Sequence, residues 1–72
     1  MTTDQAAEKH EEMAEQLESS GDFRGALMQY LEAYLVQKRA GKLRAASEVA
    51  RVMAGLCDRE ADEMILCRKE AN

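Results

Sequence analysis

Proline is absent from this chain of 72 residues, and glycine occurs only four times. Proline breaks helices and glycine weakens them. Their scarcity, together with many Ala, Glu, Leu, Lys, Arg and Met, predicts an all-α protein. No apolar run approaches the ~18 residues that a membrane-spanning helix needs. The opening MTTDQAAEKHEEM lacks the basic start and apolar core of a signal peptide, which points to the cytoplasm. Basic residues are outnumbered, 10 against 14 acidic, for a formal charge of −4. Phosphate binding needs a net basic face, so nucleic acid is not expected as the main ligand.

Chemistry-bearing residues are equally sparse. The two cysteines, Cys57 and Cys67, stand ten residues apart in one predicted helix. That spacing is about 15 Å of helix, so they cannot pair within it. Free thiols acting as small apolar fillers are expected. The only histidine, His10, sits in the middle of an apolar face. Glu11 and Ala14 do not complete a metal site beside it, and Ser19, Ser20 and Cys57 offer no nucleophile with evident geometry to it. A packed histidine bonded to a neighbour such as Tyr30 is expected. The carboxylates of Glu8–Glu18 and of Asp58, Glu60, Asp62 and Glu63 show no calcium-loop spacing and read as solvated helix faces. Glu60 is the exception, because it points towards the bundle and needs Arg59, Lys9 or another partner there. The expectation is a non-enzymatic chain with no catalytic, cofactor or metal residues.

What is present is helical periodicity. Residues Ala14–Tyr34 read as an αα-hairpin. Gly21 closes the first helix, Asp22 caps the second, and Phe23, Ala26, Leu27, Tyr30, Ala33 and Tyr34 recur at the spacing of one helix face. Thr3 or Thr2 is a suitable first cap. Helices are predicted over about 4–19, 23–40 and 42–69, with Gly41 as the second stop. Together they make a three-helix antiparallel, up-down-up bundle occupying residues 1–72 as one domain. A chain this short buries only about 60% of its unfolded surface, so its stability depends on good packing or on a partner. At 1.5 Å per residue the third helix spans roughly 40 Å and outruns the hairpin, so its last two turns, around Ile65–Lys69, either fray or meet something else. The expected core comprises Met13, Leu17, Phe23, Ala26, Tyr30, Met53 and Cys57. On the third helix the core face runs through Leu43, Ala46, Ala50, Met53, Cys57, Ala61 and Met64.

Apolar residues exceed what one face of each helix requires. Met28, Leu31 and Leu35 form a stripe beside the core face of the second helix. Ala45, Val49, Val52 and Leu56 do the same on the third. Two spare stripes predict a groove between helices 2 and 3 that takes a third apolar surface; the alternative is that a bundle this small needs stripes this wide merely to fold. Lys38, Arg39, Lys42 and Arg44 cluster at the intervening turn. There, Lys42 and Arg44 could meet acidic groups of a partner, although such a cluster also serves simply to complement the helix dipole. The expected partner-binding residues are therefore Met28, Leu31, Leu35, Val49, Val52, Leu56, Lys42 and Arg44.

Gly21-Asp22-Phe23, with Ala26, Tyr30 and Ala33 after it and Met13, Ala14 and Leu17 before it, resembles the turn and core positions of a tetratricopeptide repeat. His10 stands where that repeat usually has a large aromatic, and Lys38 where it usually ends in proline. One such hairpin followed by one long helix is similar to the microtubule-interacting and trafficking (MIT) domain, although Leu56-Cys57-Asp58-Arg59-Glu60-Ala61 matches the usual end of its third helix only loosely. The resemblance implies a module that binds short peptide segments of proteins in membrane trafficking. The segment would lie as a helix between helices 2 and 3, or extended between helices 1 and 3. The alternatives are a structural homo-oligomer in which the spare stripes meet their own copies, and a chaperone-like adaptor that holds a secretion or assembly partner.

Overall fold

The computed structural model describes the backbone of residues 2–71 and the side-chain surroundings of residues 2–62. Three helices follow in order: α1 (Thr3–Ser19), α2 (Phe23–Arg39) and α3 (Leu43–Ala71). Among the described residues there is no strand, and no helix is long and apolar enough to cross a membrane. The architecture is the expected all-α three-helix bundle, with helix ends within two residues of those the sequence predicts.

Local chemistry sets those ends. Thr2 caps α1 through a capping box: its Oγ1 accepts from the Gln5 amide at 3.2 Å, and the Gln5 side chain accepts from the Thr2 amide at 3.0 Å. Asp22 caps α2 by accepting from the Gly25 amide at 3.0 Å. The two turns are built alike. Gly21 and Gly41 have φ of 86° and 78°, a left-handed conformation that costs glycine nothing. Around the first, the amides of Asp22 and Gly21 donate to the carbonyls of Leu17 (2.8 Å) and Glu18 (3.1 Å). Around the second, the amides of Lys42 and Gly41 donate to those of Gln37 (2.9 Å) and Lys38 (3.0 Å). Both are Schellman motifs, which satisfy the last carbonyls of a helix while reversing the chain.

The core is built largely of alanine. Ala7, Ala14, Ala26, Ala33 and Ala46 are buried with Tyr30, Val49 and Leu56. Several of these positions recur seven residues apart: Ala7 and Ala14, Ala26 and Ala33, Val49 and Leu56. That spacing keeps one narrow seam facing the neighbouring helix, and small side chains let the backbones approach closely. Leu17, Phe23, Leu27, Tyr34, Val36 and Met53 pack half-buried against the edges of this seam.

Two core expectations are corrected. Met13 is 40% exposed, and Ala7 takes a buried place on α1 instead. Cys57 is exposed. On α3 the buried face is centred on Val49 and Leu56 and is turned by roughly 90° from the expected one, close to the step between successive helical residues. Leu43 and Ala61, expected to face inward, are exposed, and Ala50 is half-buried. The reason is area: turning Val49 and Leu56 inward removes more apolar surface from water than turning in Ala50 and Cys57. The side chains of Met64, Ile65–Lys69 and Cys67 lie outside the described residues.

α2 occupies the centre. It packs against both α1 and α3, whereas no Cα of α1 comes within 8 Å of one of α3 among the described residues. The outer helices therefore stand apart over one face of α2. Among the described residues, ion pairs join them at two points. Lys42 Nζ pairs with Asp4 Oδ1 at 2.6 Å where both helices start, and Arg59 pairs with Glu18 where α1 ends.

Candidate functional site

Between those two ion pairs runs a groove of about 390 Å³. Its α1 wall carries Glu11 and Glu15, its α3 wall carries Ala45, Glu48, Val49 and Val52, and its floor is Tyr30 and Gln37 of α2. Helical spacing explains each contribution. Glu11 and Glu15 are one turn apart, as are Ala45 with Val49 and Glu48 with Val52. Tyr30 and Gln37 are two turns apart on the face of α2 that lies between its neighbours.

The electrostatics are one-sided. Burial and the nearby charges of Glu15, Glu8 and Glu48 raise the Glu11 carboxyl above its ordinary value. Burial, the Glu18 charge and a hydrogen bond to Glu18, with further charge from Glu15 and Glu11, push the Tyr30 phenol up to about 12. Among the described residues no ion pair includes Glu11, Glu15 or Glu48. Gln37 is only 8% exposed, and its Oε1 has no hydrogen-bond partner among the described residues. The groove thus presents hydrogen-bond acceptors and negative charge beside an apolar strip of Ala45, Val49 and Val52.

The structure divides the residues expected to form one trough. Val49 and Leu56 are in the core. Val52 is 47% exposed and lines the groove towards α1. Met28 and Leu31 are exposed, and Leu35 is half-buried. Met28 and Leu35 project from the side of α2 opposite to Tyr30 and Gln37, since their helical angles differ by roughly 160°. Lys42 is engaged with Asp4, and Arg44 lies with Ser47, Glu48 and Arg51 on the outer surface of α3. The six apolar residues therefore do not share one surface, because the rotation of α3 turns Val52 towards α1 rather than towards Met28 and Leu31.

Other polar residues are settled locally. His10 Nδ1 donates to Gln29 Oε1 at 2.8 Å, in place of the expected Tyr30 partner. Tyr30 instead donates its hydroxyl to Glu18 Oε2 at 3.2 Å. Arg59 is taken by Glu18, and Glu60 Oε2 is buried with no partner among the described residues. No group of three or more His, Cys, Asp or Glu side chains among the described residues is placed to hold a metal ion. Sequence reading missed Gln37, Glu11, Glu15 and Glu48 as site residues. Gln37 carried a usable signal: it is a polar residue seven positions after Tyr30, on the stripe that faces the core. Compared with protein-family models, curated proteins and solved structures, the chain matches none.

Proposed function

We propose that this chain is a non-enzymatic protein–protein interaction module that holds a short peptide segment of a partner in an inter-helix groove. The observation that carries the reading is the open groove between α1 and α3, with the exposed Val52 on its wall. A cleft of this size, lined by a few apolar side chains and convergent polar groups, suits a short segment better than a bulky ligand. Its position is that of the extended-segment mode implied by the MIT-like resemblance. On that analogy the module works in the cytoplasm, in membrane trafficking.

The test is a random-sequence peptide library panned on the intact protein. Peptides enriched by the wild type should bind a Val52→Ser variant roughly fivefold more weakly, through loss of apolar contact. Circular dichroism should be unchanged, because Val52 lies outside the core. Absence of any enrichment, or equal binding by the variant, overturns the reading. A second reading, a homo-oligomer, is favoured by Leu43 and Met28, which are 67% and 58% exposed. Sedimentation at micromolar concentration separates the two: a monomer supports peptide binding, and an obligate dimer supports the oligomer.

A further inference from the structure

We propose that the groove between α1 and α3 recognises an arginine side chain of the bound segment, gripped by carboxylates of both walls and by the amide oxygen of Gln37. The inference rests on the peptide-binding reading and adds the chemistry of the occupant.

The first support is the polarity of the lining. Glu11 and Glu15 stand on one wall and Glu48 on the other, and none is ion-paired among the described residues. The cations at the two ends are already engaged, Lys42 with Asp4 and Arg59 with Glu18. Glu48 also borders Arg44 and Arg51 on the outer surface of α3 without a salt bridge to either among the described residues. The second support is independent of charge. Gln37 is more than nine-tenths buried on the floor, and its Oε1 is an acceptor without a donor. A buried acceptor left unsatisfied is costly, and an entering N–H removes that cost. The raised proton affinity of Glu11 agrees, because part of its cause is uncompensated negative charge around it.

The geometry selects among cations. The acceptors come from three helices and do not converge as a metal-ligand cluster among the described residues. A guanidinium carries five N–H donors in a planar fork, so one group can bond to opposite walls and to the floor. An ammonium offers a compact charge with three donors and matches spread acceptors less well. The arginine stem would lie along Ala45, Val49 and Val52, as long charged side chains do on apolar strips.

The experiment uses the same peptide library on the wild type and on a Glu15→Gln/Glu48→Gln double variant. Neutralising these carboxylates relieves repulsion, so the double variant should fold at least as well, and circular dichroism checks this. Enriched peptides should contain arginine. Replacing that arginine by citrulline, its neutral isostere, should weaken binding about tenfold, and the double variant should weaken it similarly. The Gln37 side-chain amide resonance should shift on binding of the arginine peptide and not of the citrulline peptide. Peptides that enrich, and that lose affinity on Val52→Ser, but bind as citrulline or lysine versions equally well, overturn the arginine assignment while leaving peptide binding intact. No enrichment at all removes both. A Gln37 shift with free spermidine, when no peptide enriches, assigns the groove to a small polycation and also overturns the proposal.

Discussion

Tyr30 and Glu18 meet across the α1–α2 seam, the phenol donating to Glu18 Oε2 at 3.2 Å. The same carboxylate receives Arg59 of α3 through Oε1. One acidic side chain therefore joins all three helices at the end of the groove where α1 stops. Burial first, and then this carboxylate, raise the proton affinity of the tyrosine, whose ring lies in the core while its hydroxyl faces carboxylates.

Substitutions at Tyr30 separate these roles. Tyr30→Phe keeps the ring and loses one hydrogen bond, and should cost about 1 kcal/mol. Tyr30→Ala empties a core position and should cost about 3–5 kcal/mol, enough to unfold a domain this small. Urea denaturation measures both. The phenol should titrate near pH 12, read by ultraviolet absorbance in a Tyr34→Phe background. The folded value lies above the unfolded value of about 10, so the folded state holds this proton more tightly. Its contribution is complete below pH 10 and is lost as the pH rises towards 12. Equal stability of the Phe and Ala variants would contradict the burial of the ring.

The orientation of α3 is tested by a pair of truncations. Leu56 is 1% exposed, and Leu56→Ala should cost about 2–5 kcal/mol. Val52→Ala, on the groove wall, should change stability by no more than about 0.5 kcal/mol. Cys57→Ser should be similarly mild, because the thiol is exposed. A mild Leu56→Ala together with a costly Cys57→Ser in urea melts would restore the expected face through Met53 and Cys57.

Charge crowding makes a third prediction. Burial together with Glu15, Glu8 and Glu48 raises the Glu11 carboxyl above 4.5, so the folded state binds its proton more strongly than the unfolded chain does. The ionised carboxylate therefore destabilises the fold at neutral pH, and the penalty disappears as the pH falls below the folded value. Glu11→Gln should raise the melting temperature at pH 7 by about 1–4 °C, taking a few tenths of a kcal/mol for each like-charge pair relieved. The gain should vanish near pH 3, where the carboxyl is protonated in both states. A lower melting temperature at pH 7 would refute the crowding.

The sequence alone determined where the helices begin, end and turn. Those choices depend on forces that act over a few residues: the left-handed freedom of Gly21 and Gly41, the capping oxygens of Thr2 and Asp22, and the absence of proline. It also marked Ala26 and Tyr30 as core, because one face of α2 is clearly more apolar than the rest. It did not determine which face of α3 turns inward. Apolar residues occupy 45, 46, 49, 50, 52, 53, 56 and 57, an arc of roughly 160° around that helix and wider than one packing face needs. Only contact with α2 decided, because the area buried by Val49 and Leu56 depends on the surface they meet. The same docking made the groove. Glu11 and Glu48 are 37 positions apart, and each alone is an ordinary exposed-face residue. They become one acidic site because α2 holds α1 and α3 apart over Tyr30 and Gln37, and no local rule of backbone or side chain specifies that spacing.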